Sequence, residues 1–289
     1  MKKVSIVIPV YGQWHLVKRN VDALVQYDME HIKEIIIVDD CSPEKNIYIF
    51  NDFVRIIQTD RNRGYAGTVN TGLKLANTDI IVLLDSDAYP IAPFISQLLS
   101  IYDKDESTGC VGFATIDDEG NTTGSYTYEP SLMGLIGGQQ LELRLNLRNS
   151  DEILPFSCSV SFRKACLEQM NYFDEKNFPV LDADLDISMR IHHSRWKLLF
   201  NKDIIVCHKG GSSYKINYKR VLLFHESRWR LLKVHGMIQY PLLTKLALTV
   251  RVKAEIITFK LFKFFKGNPE YDEKTEGRKI LLKRIKYYE

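Results

Sequence analysis

Four short apolar runs in the first third of the chain constrain its fold more than any other feature. They are polar mainly at their carboxyl ends, and two of them lead directly into aspartates. The runs cover residues 4–10, 35–38, 54–58 and 80–84. Such runs are typical of parallel strands covered on both faces. They predict an α/β fold with a doubly wound, mostly parallel sheet, whose ligands bind beyond the carboxyl ends of the strands.

The segments between and after these runs complete the predicted domain. Helical spacing of apolar residues predicts helices over about 13–27 and 64–76, and a further helix is expected to begin near Asp184. Additional strands are expected near residues 110–116, 156–162 and 204–206, with irregular structure at the glycine-rich stretch 134–138.

The cysteines and the lengths of the apolar runs indicate the cellular compartment in which the protein is expected. The five cysteines show neither a C-x-x-C pair nor another metal-like spacing, so we expect free thiols in a reducing compartment. No stretch resembles a signal peptide, and no apolar run approaches the roughly 18 residues of a transmembrane helix. We expect a cytoplasmic protein, at most peripheral on the inner face of the membrane.

Asp85-Ser86-Asp87 follows the fourth apolar run directly. Two carboxylates at a strand end can converge on one hard divalent cation, such as Mg2+ or Mn2+, and leave its other positions for phosphate oxygens and water. Because a tripeptide of this kind also occurs where a strand simply ends, the motif gains its meaning from the motifs around it.

Three further motifs stand at predicted strand ends or helix starts. They are residues 6–12 (IVIPVYG), 37–42 (IVDDCS) and 62–72 (NRGYAGTVNTG). Together with Asp85-Ser86-Asp87, their order and spacing resemble the inverting family 2 glycosyltransferases of the GT-A fold, which use nucleotide-sugar donors. The resemblance covers about residues 3–214. It implies a GT-A catalytic domain over residues 1–214, followed by a basic helical appendage over residues 215–289.

The resemblance implies a donor site built from the N-terminal motifs. The residues expected around the nucleobase and ribose are Pro9, Val10, Tyr11 and Asp39, and those expected in the loop over the diphosphate and sugar are Asn62, Gly64 and Ala66. Asp39 suits its place because a carboxylate accepts hydrogen bonds from a pyrimidine N3–H or a sugar hydroxyl, although a strand-end aspartate can also be a cap or turn residue. Within Asp85-Ser86-Asp87, Asp87 is expected to bind the metal, and Asp85 the ribose or, through water, the metal.

A later acidic segment, residues 181–190 (LDADLDISMR), resembles the motif that carries the family's general base. That base, which deprotonates the acceptor hydroxyl, corresponds to Asp184. Ala183 stands where the family usually has Glu, which leaves Asp182 as the alternative base. Asp184 also suits the cap of a helix beginning at Leu185, and capping is compatible with catalysis. One base is sufficient for inversion by a single in-line displacement.

His208 lies in a segment that resembles the family's late His-x-x-Gly motif, in which the histidine approaches the metal or the diphosphate. A neutral imidazole is an acceptable ligand, and the small residues that follow allow the chain to fold over phosphates. A packed or surface histidine is the alternative.

The C-terminal region differs sharply in charge from the rest of the chain. Residues 1–208 contain 20 lysines and arginines against 29 acidic residues, whereas residues 209–289 contain 19 against 7. Within it, residues 241–267 predict a helix that begins at a proline, ends at a glycine and carries two apolar stripes on opposite sides. One stripe suffices for docking on the rest of the chain. We therefore expect the other to meet an anionic membrane surface or, alternatively, a second copy of the chain.

These observations lead to one principal functional hypothesis and two alternatives. The principal hypothesis is a bacterial, polysaccharide-assembling transferase that moves a sugar from a UDP- or dTDP-sugar to a saccharide, lipid-linked or glycoprotein acceptor, with Mn2+ or Mg2+ as cofactor. The alternatives are a non-catalytic nucleotide-sugar-binding subunit and a nucleotidyltransferase, although the glycine-rich N-terminal loop expected of the latter is absent. Dinucleotide, P-loop and zincin motifs are also absent, and we expect no nucleic-acid partner.

Overall fold

The computed structural model describes residues 2–145, 152–208 and 218–289, which cluster into two compact units. The α/β unit contains the described residues up to 127 and those from 153 to 208, and the helical unit contains those from 128 to 152 and from 218 onward. The domain boundary predicted near residue 214 lies outside the described residues. Residues 128–145, which we expected to belong to the first domain, cluster with the C-terminal helices.

The strands are β1 Val4–Val10, β2 Ile32–Asp39, β3 Val54–Gln58, β4 Ile80–Leu84, β5 Ala88–Pro90, β6 Thr108–Ile116, β7 Tyr126–Tyr128, β8 Ile153–Pro155, β9 Ser159–Arg163 and β10 Lys197–His208. The helices are α1 Trp14–Asp28, α2 Gly64–Leu75, α3 Ile95–Lys104, α4 Leu132–Gly137, α5 Gln139–Arg144, α6 Lys164–Gln169, α7 Ala183–His192, α8 Tyr218–Val234, α9 Pro241–Lys266 and α10 Glu270–Ile285, with a 3-10 turn at Met29–His31.

The α/β unit is organised around a mixed sheet with the strand order β3-β2-β1-β4-β9-β6-β10-β5, and β7 pairs with β8 separately. Strands β3, β2, β1 and β4 are parallel to one another, as are β6 and β10. Strand β9 runs antiparallel to both β4 and β6, and β5 is antiparallel to β10. The predicted α/β class with a mostly parallel central sheet and C-terminal helices is confirmed.

Strand β1 shows why the apolar runs are continuous. All seven of its residues are buried. Ile6 and Ile8 belong to a core cluster with Trp14 and Leu24 of α1. Val7 points to the opposite face, where α2 approaches so closely that no space remains for a Cβ at Gly72. A strand covered on both faces favours apolar side chains along its whole length, and the one polar residue of β1, Ser5, donates its hydroxyl to Glu34 over 2.8 Å.

The helical unit has a separate core formed by α8, α9 and α10. Trp229, Leu248, Val252 and Leu281 are buried there. Helix α9 spans almost the whole predicted segment and ends at Lys266, and the next residue, Gly267, has a φ of 66° and forms a left-handed cap. The stretch around 134–138, expected to be irregular, instead forms α4.

Helix α4 has a cap that explains why the glycine-rich stretch becomes helical. The Ser131 hydroxyl accepts a hydrogen bond from the backbone N–H of Gly134, and Leu135 joins the core of the helical unit. Side-chain capping and burial together outweigh the low helix propensity of glycine. Among the described residues, no helix is both long and apolar enough to cross a bilayer.

Candidate active site

The carboxyl ends of β1 and β2 bring the first two motifs together. The two strands pair in parallel register, with Val10 opposite Asp39. Pro9 and Val10 are buried in β1, whereas Tyr11, the next residue, is 60% exposed. Asp39 is buried and accepts a hydrogen bond from the backbone N–H of Ser42 over 2.9 Å. The expected nucleoside-binding residues therefore form one group at the end of the sheet.

Asp40, which the sequence analysis did not single out, anchors the loop that enters α2. Its carboxylate accepts hydrogen bonds from the backbone N–H groups of Arg63 (2.7 Å) and Gly64 (3.0 Å) and from the Thr59 hydroxyl (3.1 Å). It is 4% exposed, so these bonds compensate for its lost hydration. Only its position next to Asp39 could have drawn attention to it.

The loop expected over the diphosphate is fixed to the segment before α7. Gly64 has a φ of 72°, and a Cβ there would lie 2.7 Å from the carbonyl oxygen of Pro179. The same carbonyl accepts a hydrogen bond from the backbone N–H of Ala66 over 3.0 Å. Asn62 is exposed, and its side-chain oxygen accepts from the N–H of Gly64 over 3.1 Å. Glycine is needed here for both its conformation and its small size.

The backbone of Asp85-Ser86-Asp87 is held from several directions, and all three residues are partly buried. The N–H of Asp85 donates to the carbonyl of Cys158 over 2.9 Å. Its own carbonyl accepts from the side chain of Asn20 (3.1 Å) and from the N–H of Ala88 (2.9 Å). These hydrogen bonds therefore fix the backbone conformation of the tripeptide that follows β4.

Asp85, Asp87 and His208 form a cluster suited to a divalent cation. One potential ligand atom from each residue lies within 4.8 Å of the others. The cluster exists because β5 and β10 pair with Ala88 opposite His208, which places the histidine one residue from Asp87 in the ladder. The His208 Nε2 atom is 3.4 Å from Asp87 Oδ1. The sequence separation of more than a hundred residues hides this grouping from any local motif.

Two buried polar atoms of the cluster fit the binding of a cation. Asp85 Oδ1 and His208 Nδ1 are buried and have no hydrogen-bond partner among the described residues. Burial raises the pKa of Asp85 to about 6, although the charge of His208 acts in the opposite direction. Burial also disfavours an imidazolium, but the hydrogen bond to Asp87 and the interactions with Cys158 and Asp85 together outweigh burial and raise the pKa of His208 to about 11. Two carboxylates and an imidazole are an appropriate ligand set for Mn2+ or Mg2+.

Asp184 lies in the first turn of α7, not at its cap. The helix begins at Ala183, and the cap position belongs to Asp182, whose φ is 60° and whose side chain makes no capping hydrogen bond. The prediction that Asp184 caps a helix starting at Leu185 is therefore wrong. The Asp184 carboxylate does accept a hydrogen bond from the N–H of Leu185 over 2.9 Å. The left-handed turn at Asp182, which a pattern of residue types does not reveal, starts the helix earlier.

The charge of Asp184 interacts with that of Asp85 in the candidate cation cluster. Burial raises the pKa of Asp184 to about 6, and the charges of Asp182 and Asp85 add to the effect. The Tyr65 hydroxyl interacts electrostatically with both acidic segments. Burial, the charge of Asp85 and then that of Asp184 raise its pKa well above 10, and its hydroxyl donates to Ser157 over 2.7 Å. The charges of the two acidic segments therefore interact with each other and with Tyr65, a residue that sequence reasoning missed.

The rest of the α7 motif supports this geometry. Asp186 is 1% exposed and forms an ion pair with Arg190, with 2.7 Å between Oδ2 and Nη2. Arg190 also donates to the carbonyl of Tyr172 over 2.8 Å and to that of Met170. These bonds tie α7 to the chain that precedes it, which explains why an arginine follows the acidic residues.

Solved glycosyltransferases share this α/β architecture. A structure of Staphylococcus aureus TarS, residues 1–349, in complex with UDP superposes with a TM-score of 0.55 at 15% identity, over 92% of this chain and 74% of the other. The mannosyltransferase PcManGT from Pyrobaculum calidifontis, in complex with GDP-Man and Mn2+, gives a TM-score of 0.58 at 14% identity, over 99% and 86%. The fold is therefore the GT-A fold of glycosyltransferases.

The sequence comparison identifies the family. The sequence model of glycosyl transferase family 2 matches residues 5–169, and the chain belongs to this family of glycosyltransferases. A relative, glycosyltransferase YdaM of Bacillus subtilis (strain 168), is 23% identical over 280 residues, which are 92% of this chain. The chain spans 62% of the length of YdaM and 66% of that of a Haemophilus influenzae glycosyltransferase, less than two thirds of either relative.

Proposed function

We propose that the protein transfers a sugar from a UDP- or dTDP-sugar to an acceptor hydroxyl with inversion at the anomeric carbon, in a reaction that depends on Mn2+ or Mg2+. The observation that carries this proposal is the meeting of two acidic segments at one site. Asp85 and Asp87 lie with His208 on one side, and Asp184 lies close enough for its charge to interact with that of Asp85.

The donor side of the site is assigned to the ends of β1 and β2 and to the loop before α2. Asp39 can accept a hydrogen bond from a pyrimidine N3–H or from a ribose hydroxyl, which supports a uridine or thymidine nucleotide. Gly64 and Ala66 offer little side-chain bulk, so their backbone can approach a diphosphate. The bound UDP of TarS is consistent with this choice of donor.

Asp85, Asp87 and His208 would hold the cation. When bound, it would neutralise the negative charge of the nucleoside diphosphate as this group departs. The chain's own contribution is to fix these side chains in place through the backbone bonds of Asp85 and through the pairing of β5 with β10.

Asp184 is assigned as the general base. It accepts the proton of the acceptor hydroxyl while the acceptor oxygen bonds to the anomeric carbon and the bond from that carbon to the diphosphate breaks. Its raised pKa favours this role, because the carboxylate is ionised at neutral pH and yet binds a proton more readily than an ordinary aspartate. Asp182, immediately before α7, is the alternative base.

The proposed acceptor is a lipid-linked saccharide or another glycoconjugate. This assignment extends the resemblance of the sequence motifs to polysaccharide-assembling transferases of bacteria. The acceptor must present a hydroxyl to Asp184, but the side chains that would select one sugar over another carry no recognisable pattern.

The decisive experiment measures nucleoside diphosphate release from a panel of nucleotide sugars with a saccharide acceptor. Release is expected with Mn2+ or Mg2+, to be lost on addition of EDTA, and to return when the metal is restored. Asp184→Asn is expected to lower release by roughly 10²- to 10⁴-fold while donor binding persists, and Asp87→Asn should weaken metal-dependent donor binding itself. Asp22→Asn, which removes one exposed ion pair on α1, is the matched control.

Other results of the same experiment would contradict the proposal. Donor binding without release would identify a nucleotide-sugar-binding subunit, and formation of pyrophosphate would identify a nucleotidyltransferase. If Asp182→Asn is inactive and Asp184→Asn is not, the base is Asp182.

A further inference from the structure

Helix α9 has one buried face and one exposed apolar face. On the buried side, Leu248 and Val252 are fully buried in the core of the helical unit. The exposed face, which we call the α9 apolar face, consists of Leu243, Leu246, Val250, Ile257, Leu261 and Phe264, each between 52% and 83% exposed. Six exposed apolar side chains along one face of a helix indicate an interaction site.

The α9 apolar face is long and narrow. Its members recur at intervals of three, four or seven residues, so they line one side of the helix from its first turn to its last. The helix has 26 residues, which corresponds to a length of about 39 Å. A long, narrow apolar face of this kind fits an extended planar partner better than a small molecule.

Positive charge accompanies this face. Lys253 follows Val250 by three residues and precedes Ile257 by four, and Lys260 stands in the same relation to Ile257 and Phe264, so both lysines lie along one edge. Both are exposed, and neither pairs with an acidic side chain in the described part of the chain.

The face has no negative charge of its own. The one acidic residue in α9, Glu255, is held by ion pairs with Arg251 and Arg278 within the helical unit. A two-fold contact between copies of this face would therefore bring lysines together without acids from α9 to balance them. A partner surface with negative charges above an apolar layer complements both the lysines and the α9 apolar face.

We propose that the α9 apolar face binds the surface of an anionic lipid bilayer, with the helix lying in the interfacial plane. Leu246, Ile257 and Phe264 enter the boundary between headgroups and acyl chains, while Lys253 and Lys260 extend to lipid phosphates. Attachment of this kind would bring the chain to lipid-linked acceptors. The surface belongs wholly to the helical unit, so vesicle binding and sugar transfer can be tested separately.

The test is co-sedimentation of the full chain with large unilamellar vesicles of phosphatidylcholine alone or with 30% phosphatidylglycerol, a composition chosen to be on the order of that of anionic membranes. We expect binding to the mixed vesicles and little to the neutral ones. Leu246→Gln/Ile257→Gln should reduce the partition coefficient by roughly tenfold or more. Lys253→Gln/Lys260→Gln should reduce it by about 30-fold at low salt, since each lysine near the surface contributes about 1 kcal/mol.

A matched control uses exposed isoleucines from the α/β unit. Ile47→Gln/Ile49→Gln changes side chains that are 81% and 91% exposed and should leave vesicle binding unchanged. Circular dichroism and thermal melting confirm that each variant is folded. The proposal is overturned if the chain does not bind anionic vesicles, if it binds neutral vesicles equally well, or if the α9 variants bind as well as the wild type. Concentration-dependent dimerisation that the Leu246/Ile257 variant abolishes, without vesicle binding, would identify a second copy as the occupant.

Discussion

The surroundings of Asp184 disfavour the ionised form of its carboxyl group. Burial and the nearby carboxylates of Asp182 and Asp85 raise its pKa to about 6, from an ordinary value of 3.8. The folded protein therefore holds a proton on this group more tightly than the unfolded chain does. Ionisation of Asp184 destabilises the folded state, a cost that is typical of residues retained for chemistry.

This cost gives Asp184→Asn a pH-dependent effect on stability. Above about pH 6 the wild-type carboxyl is ionised in both states and the full penalty applies, whereas below pH 3.8 it is protonated in both and the penalty is absent. The variant should be more stable than the wild type at pH 7 by on the order of 1 kcal/mol, and the difference should shrink as the pH falls toward 4.

Urea denaturation of both proteins at pH 7 and pH 4 measures this difference. Asp22→Asn, on the exposed side of α1, should show neither the gain at pH 7 nor its loss at pH 4. A less stable Asp184→Asn protein at pH 7 would show that the carboxylate stabilises the fold and is not under electrostatic strain.

Sequence reasoning at the residue scale found the charged groups more readily than their partners. Asp85, Asp87 and Asp184 stand in motifs, so their proximity could be expected from the resemblance to a known family. The same reasoning could not identify Asp40 and Tyr65 as important residues. Asp40 acts through backbone N–H groups about twenty residues later, and Tyr65 through burial beside acids from distant segments.

At the scale of elements, β1 and α9 were predicted well and α4 was not. A strand buried on both faces has a recognisable local sequence pattern, and so has a long helix bounded by proline and glycine. Helix α4 has only six residues, and its stability comes from the Ser131 cap and from burial in the helical unit. Short elements of this kind depend on tertiary contacts, which the local sequence does not encode.

The loop before α2 provides a prediction at this scale. Gly64→Ala places a Cβ in a left-handed conformation and against the carbonyl of Pro179, so we expect a loss of stability of about 1–3 kcal/mol and weaker donor binding. Gly120→Ala is the matched control, because Gly120 also has a positive φ, of 85°, but has no neighbouring atom within 4 Å of the added Cβ.

Thermal melting and titration with UDP in the presence of Mn2+ measure both effects. The control should lose some stability and retain its affinity for UDP. Equal affinity in the Gly64 and Gly120 variants would show that the approach of the loop to Pro179 is unimportant for the donor.

In the described part of the chain, each compact unit has buried hydrophobic clusters of its own. The basic C-terminal region and the acidic remainder of the chain also differ in charge. The sequence predicted this contrast and the two stripes of α9. It could not tell which stripe is buried, because both are apolar and only the packing of α8 and α10 distinguishes them.

The buried and exposed stripes of α9 should respond differently to truncation. Leu248→Ala leaves a cavity in the core of the helical unit and should cost about 2–5 kcal/mol, whereas Leu246→Ala, at a position 60% exposed, should change stability by less than about 0.5 kcal/mol. Differential scanning calorimetry in the absence of lipid measures both. Similar losses in the two variants would mean that the exposed stripe is packed in solution.

The backbone carbonyl of Pro179 joins the two halves of the proposed reaction. It accepts a hydrogen bond from Ala66 in the donor loop, and it lies a few residues before the assigned base on the acceptor side. The Arg63–Glu175 ion pair links the same two segments, so a substitution that displaces one segment strains these bonds or moves the other segment with it. Variants of the loop should therefore raise the Michaelis constants for the sugar donor and for the acceptor together, because the same bonds position both binding sites.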